Sequence, residues 1–548
     1  MRPVSGAHVI GIDVGTGSAR AGVFDLAGHL LGTAKQEISL HHAEGHRVEQ
    51  SSAEIWKAVC GATRGAVAEA GIDPNSVAGI GFDATCSLVV SGPGGTPLPV
   101  SPGGDPARDI IVWMDHRALD QAARINACAH DVLRYVGGVI SPEMQAPKLL
   151  WLKERNPESY ARAVQFFDLT DFLTWRATGS LARSICTVTC KWTYVQKDGG
   201  WNAGFFRDIG LGDLAEDGFA RIGTEIVGAG TALGAGLNAE AAADMGLPVG
   251  TCVAAGLIDA HAGGLGTVGA PGAAPEERMA YVFGTSSCTM TTTSDPVFVP
   301  GVWGPYFSAM VPGMWLNEGG QSAAGAAIAH LLRHHPASAE AAAAARADGL
   351  SLPDWLARRA TAGGDPPAVI LHRTARLHVV PEFLGNRAPF ADPMTRAVIA
   401  GLGMEDSIDS LVDLYLAGLL GLAYGLRQII EAQTSSGAAI NSIIISGGAG
   451  RSDLVRQALA DATGVAVEAP ETEEPVLLGS AILGAMAAGL FPDAVAAMSE
   501  MSRCRDRYIP DFESAGWHDR RYAIHNALHA LARDAAGYTH GDPSGGLV

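Results

Sequence analysis

Short apolar runs broken by small-residue turns open the chain. Residues 8–33, HVIGIDVGTGSARAGVFDLAGHLLGT, predict a β-strand, a Gly/Thr/Ser turn, a second strand, and an Ala-Gly turn into a third. Residues 280–293, AYVFGTSSCTMTTT, begin the same way, with an apolar strand, a Gly-Thr-Ser-Ser turn and a β-branched strand. Two such openings predict two related domains. Between them lie helix-like amphipathic stretches, such as residues 53–70, and short apolar strands, such as residues 77–82. The cluster of Pro, Gly and charge at residues 271–277 marks the boundary, giving domains of 1–270 and 271–495 with an extension of 496–548. Residues 338–347, rich in Ala, read as a surface helix, and the tail from Gly537 reads as unstructured.

The uncharged run of residues 475–492, proline-bounded and carrying Gly479, Gly484 and Gly489, predicts a buried core helix in preference to a membrane span. A chain of 548 residues exceeds what one core supports, and 47% hydrophobic with 17% charged residues describes a globular protein. The net charge of −19 argues against nucleic-acid and anionic-membrane partners. The N-terminal residues show no signal-peptide apolar core, and the eight cysteines contain no CxxC pair, so a cytoplasmic, reduced protein is expected. Cys186 and Cys190 form a lone C-x3-C, and thiolate metal binding would need more ligands at closer spacing.

Four turns can carry chemistry. Asp13-Val14-Gly15-Thr16-Gly17-Ser18 sets a carboxylate at a strand end beside a loop that a polyphosphate could approach, or else makes a tight hairpin capped by its Asp. The matching Gly284-Thr285-Ser286-Ser287 favours the phosphate reading. In residues 441–451, NSIIISGGAGR, an apolar strand breaks into Gly447-Gly448, bare backbone against which a planar base can lie, before Ser452 and Asp453 start a helix. Three glycine-bearing turns at strand ends are what an actin-like, ribonuclease-H-like ATPase architecture needs. In the fourth, the strand CVAAGLI delivers Asp259 into a run of small residues; a lone Asp there is usually an N-cap, and His261 reads as a structural histidine.

These elements, in this order, resemble the FGGY carbohydrate kinases from Ile10 to about Gly489. The resemblance extends to Trp113-Met114-Asp115-His116-Arg117-Ala118, the helix MQAPKLLWLKE, Asn317-Glu318-Gly319-Gly320-Gln321-Ser322, Gly385-Asn386-Arg387-Ala388-Pro389 with Asp392-Pro393, and residues 475–484. It implies an α/β fold of two actin-like domains around a cleft, the N-terminal one binding sugar and the C-terminal one ATP. FDATCSLVV at residues 82–90, together with Cys190-Lys191-Trp192 and Glu318, is similar to the ribulokinase branch, in its D-ribulokinase-type form.

Carried over by position, the resemblance implies that Asp259 is the catalytic base. Asp115, Lys191 and Glu318 would contact ketose hydroxyls, with Thr85, Cys86 and Ser87 shaping the pocket floor. Asp13 would hold Mg2+, while Gly15, Thr16, Gly17, Gly284 and Thr285 would hold the phosphates of ATP, and Gly447, Gly448 and Arg451 would lie near adenosine. Arg20, Arg117 and Arg387 are left as surface or interdomain ion pairs. The expected reaction is phosphorylation of D-ribulose. L-ribulose, D-xylulose or ribitol are the alternative acceptors, a protein-binding actin-like ATPase is the reading from another class, and a homodimer is left open.

Overall fold

The computed structural model describes residues 6–44 and 46–540. Strands β1 (His8–Val14), β2 (Ser18–Phe24) and β3 (Leu30–Glu37) form an antiparallel meander, followed by helix α1 (Ser52–Ala70) and strand β4 (Val77–Ala84), which runs parallel to β1. Strands β5 (Cys252–Val253) and β6 (Leu257–Ile258) both pair with β4 and complete a six-stranded sheet. In α1, Ile55, Val59, Ala62 and Ala66 recur at helical spacing and bury against the sheet. Ser51 caps its first turn, accepting from the Glu54 N–H, and Gly71 ends it in the left-handed conformation at φ 63°.

Helix α2 (Asp259–Val268) leads to the second sheet, made from β7 (Arg278–Phe283), β8 (Ser287–Thr293), β9 (Trp303–Phe307), β10 (Trp315–Gln321), β11 (Ser442–Ser446), β12 (Ala466–Pro470) and β13 (Cys504–Tyr508), in the order β9-β10-β8-β7-β11-β12-β13. The segment expected to be an extension therefore supplies an edge strand of this sheet. Its helix Ala515–His540 packs on the same half, so Gly537 to His540 are helical where an unstructured tail was expected, and residues 541–548 lie outside the described residues. The helix Ile408–Ser435 is long and apolar enough to cross a membrane, but 78% of its most apolar stretch is buried among the second sheet's helices.

Two helices tie the halves together. The run beginning at Pro475 forms a buried helix (Pro475–Ala487) that lies not on its own sheet but on the first. Gly11, Gly79 and Gly81 make a bare track for it, since a Cβ at any of them would stand about 2 Å from a helix carbonyl, those of Leu477, Gly484 and Ser480. Helix α2 starts from the first sheet and packs against β7 of the second, and the two helices cross where Gly479 meets the Ala262 carbonyl.

Candidate active site

The β4–β1 pairing is parallel with Asp13 opposite Asp83, and β6 aligns Ile258 with Ala84, so three neighbouring strands end together. Their ends face the β7–β8 turn across a cavity of about 330 Å³. Asp13, Gly15, Thr16, Thr85, Cys86, Lys191, Asp259, Gly284, Thr285 and Glu318 all line it. A Cβ at Gly15 or Gly284 would meet no protein atom closer than 3.7 Å, so the space these glycines leave open belongs to the cavity. A second cavity of about 360 Å³, lined by Gly447, Gly448 and Arg451, shares Arg20 with the first.

Asp259 is the first residue of α2, and its Oδ1 accepts from the Ala260 N–H at 2.8 Å. The helix terminus favours its charge, yet burial and then the Asp13 carboxylate push its carboxyl up to about 6. Arg20 donates from Nε to Asp13 at 2.9 Å and from a terminal nitrogen to Glu474 at 2.7 Å, bridging the two halves. Asp83 lies behind Asp13, and burial, reinforced by the Asp13 charge, holds its carboxyl well above the usual range. Ser480 donates to Asp83 Oδ2 at 2.6 Å, and the Asp83 carboxyl is also hydrogen-bonded to that of Asp13. A carboxylate on the cavity wall with a second carboxyl against it is a hard-oxygen set that fits magnesium.

The other end of the cavity is charged in both signs. Burial works against the Lys191 ammonium, but acidic groups around it, Cys86 and Glu318 foremost, hold it well above its ordinary value. Its Nζ stands 4.8 Å from the Trp303 ring centre. Burial would raise Glu318, but Lys191, His261 and Arg387 together bring it down to about 2. His261 is fully buried, with Nε2 at 3.3 Å from Glu318 and Nδ1 at 3.2 Å from Cys186 Sγ.

Three expected site residues are not brought into either cavity. Asp115 is a correction. Its carboxylate is fully buried and accepts from the Val48 N–H at 2.6 Å, the Arg117 N–H at 2.8 Å and the Arg117 guanidinium at 2.8 and 2.9 Å, which leaves no free face for a sugar. Arg117 in turn reaches Glu49 at 2.9 Å, so it is a buried clamp within the N-terminal half and not a surface or interdomain pair. Ser87 sits one layer behind the floor, bonded to Thr85 Oγ1 at 3.1 Å and to the Trp113 N–H at 3.1 Å. Gly17 uses its carbonyl to hold Ile38 N–H at 3.0 Å and lines neither cavity.

Sequence reasoning missed Glu143 and Trp303, named Ser286 only as part of its turn, and set Arg20 and Arg387 aside, although all five line the first cavity. Arg20 and Arg387 stood inside recognised motifs. Glu143 stands in a loop with no pattern around it, and Trp303 opens the short edge strand β9, which no motif marks. Burial opposes the Glu143 charge, but His116, Arg387 and Lys191 lower its carboxyl below the usual value.

Two sheets related by a strand–turn–strand opening, with two glycine turns facing one carboxylate-bearing cleft, define a two-domain phosphotransferase of the actin-like, ribonuclease-H-like class. Residues 8–266 match the N-terminal domain, and residues 279–488 the C-terminal domain, of the FGGY family of carbohydrate kinases. The chain belongs to this family and is a sugar kinase. It is 46% identical over 528 residues to an FGGY carbohydrate kinase domain-containing protein of Homo sapiens, covering 94% of this chain and 95% of that one. A D-ribulokinase of Saccharomyces cerevisiae is 39% identical over 510 residues, 87% of this chain and 71% of that one. The fold matches a ligand-bound xylulose kinase from Lactobacillus acidophilus with a TM-score of 0.80 at 18% identity, over 97% of this chain and 100% of that one.

Proposed function

We propose that the chain transfers the γ-phosphoryl group of ATP to the terminal hydroxyl of a ketopentose, with D-ribulose as the preferred acceptor. The observation that carries this reading is Asp259, an ionisable carboxylate on the wall of one cavity that also holds both glycine turns and the polar residues Lys191, Glu318 and Thr85. The similarity to a D-ribulokinase supports the choice of sugar.

In this reading Lys191 donates to, and Glu318 accepts from, ketose hydroxyls, so that the reacting oxygen lies toward Asp259. Trp113 and Trp303 wall the same cavity and exclude water from it. As the new P–O bond forms and the bond to ADP breaks, the hydroxyl proton passes to Asp259. The turns at Gly15-Thr16 and Gly284-Thr285 hold the phosphates, and Gly447, Gly448 and Arg451 border the adenosine. Magnesium, held by Asp13, supplies neutralisation of phosphate charge when bound. A protein-binding ATPase has no use for the buried Lys191–Glu318 pair. A cytoplasmic setting agrees with eight free cysteines.

A coupled ADP-release assay over a panel of ketoses and polyols tests the proposal. D-ribulose should give the highest kcat/KM, by about 10-fold or more, because a mismatched hydroxyl leaves buried polar groups unpaired at roughly 1–3 kcal/mol each. A clear preference for D-xylulose, L-ribulose or ribitol would overturn the choice of sugar.

A further inference from the structure

A C-x3-C pair alone offers two ligands, too few for a thiolate metal site. The fold adds a third. Cys186 and Cys190 stand four residues apart on the helix Ile185–Trp192, which places them on one face. Helix α2 lays His261 against that face from 71 positions further along the chain, its Nδ1 3.2 Å from Cys186 Sγ. The two sulfurs and a ring nitrogen lie within 4.8 Å of one another, and all three side chains are fully buried.

We propose that Cys186, Cys190 and His261 form a binding site for a thiophilic divalent metal ion of the zinc class. Two sulfurs and one imidazole nitrogen are a soft donor set that suits zinc and disfavours magnesium, so occupancy does not compete with the ion that accompanies the nucleotide. The second ring nitrogen is held by Glu318 at 3.3 Å, and a carboxylate on the far side of the ring is how proteins orient a metal-ligating histidine. The two thiols lie in hydrogen-bond contact with each other and one of them with the ring, so all three donors converge on one point, where a metal uses them together. A tetrahedral ion with bonds of about 2.3 Å needs donor separations of roughly 3.8 Å, so the cluster closes with a shift of about 1 Å. Binding replaces the thiol protons, which leave to solvent. The ion would sit directly behind Lys191 and Glu318, but the inference does not depend on which sugar they hold.

The test uses full-length, reduced protein produced in cobalt-supplemented medium, so that loading can occur as the buried site folds. One equivalent of cobalt per chain is expected, with a near-ultraviolet sulfur-to-cobalt charge-transfer band that excess Zn2+ abolishes. Cys190→Ala, and separately Cys186→Ala, should lose the band while keeping the wild-type circular dichroism. If either variant fails to fold, the other still reports. Absence of the band in the wild-type protein, or a band of full intensity in a folded variant, overturns the proposal.

Discussion

Replacing Asp259 by Asn should stabilise the protein while disabling it. The carboxyl stands at about 6 against an ordinary 3.8, raised by burial and by Asp13. A group whose folded value is raised in this way destabilises the folded chain when ionised. The penalty is complete above about pH 6, shrinks as pH falls, and is absent below the unfolded value. Two units at about 1.4 kcal/mol each amount to roughly 3 kcal/mol. Asn keeps the shape and the hydrogen bond from Ala260 but carries no charge. Ligand-free Asp259→Asn should therefore melt on the order of 3 °C above wild type at pH 7.5, with the gap closing near pH 4. Its kcat should fall by about 10²–10⁴, the span for loss of a positioned base. Wild-type kcat/KM should itself decline below about pH 6 as the base protonates. Thermal melts at the two pH values and the coupled assay measure all three. Unchanged or lower stability at pH 7.5 would refute the burial argument, and retained turnover would refute the assignment of the base.

A Cβ at Gly448 meets no protein atom within 4 Å, so Gly448→Val should project into the nucleotide cavity and raise the ATP KM about 10-fold with the sugar KM unchanged; equal losses would mark the turn as a folding element. Gly447→Ala should cost stability instead, seen in urea melts, because φ is +91° and its Cβ would stand 2.5 Å from the Phe283 carbonyl. Glu318→Gln should raise the sugar KM about 5- to 150-fold, the equivalent of roughly 1–3 kcal/mol, with little change in the ATP KM. Asp115→Ala leaves the buried Arg117 with Glu49 alone and the Val48 N–H unpaired, and should lower stability by about 1–3 kcal/mol in urea melts, while the folded fraction keeps its sugar KM.

The turns were legible because each is written in consecutive residues. An apolar strand followed by Gly-Thr fixes where Gly15, Thr16, Gly284 and Thr285 emerge, and parallel neighbours must end on the same side. Asp259 was legible for the same reason, as the residue on which a strand becomes a helix. Asp115 was misread because its type suits a sugar as well as it suits Arg117. What decides between them is the Val48 N–H, 67 positions away, which captures one carboxylate oxygen and turns the group from the cleft. Glu143 and Trp303 were invisible because a loop and the first residue of a short edge strand carry them, and only the tertiary path brings them to the cavity. Charged residues alternate through Cys504–Tyr508, a pattern that hid an edge strand.

The least legible feature is also the one that sets the chemistry's geometry. Asp259 belongs to a helix that starts at the first sheet and rests on the second, while the Pro475–Ala487 helix starts beside Glu474 at the nucleotide cavity and rests on the first. Each half thus carries a helix whose N-terminal end serves the ligands of the cleft. Where they cross, Gly479 lies against the Ala262 carbonyl and Gly266 against the Pro475 carbonyl, so backbone rests on backbone with no side chain between. Such contacts have little room to give, unlike an interface of flexible side chains. They fix the first turn of α2, and with it Asp259, relative to the Asp13 end of β1, and Arg20 spans the same seam from Asp13 to Glu474. The carboxylate proposed to take the proton is therefore positioned in part by Gly479, more than two hundred residues away from it. That glycine looks, in the sequence, like an interruption of an apolar run.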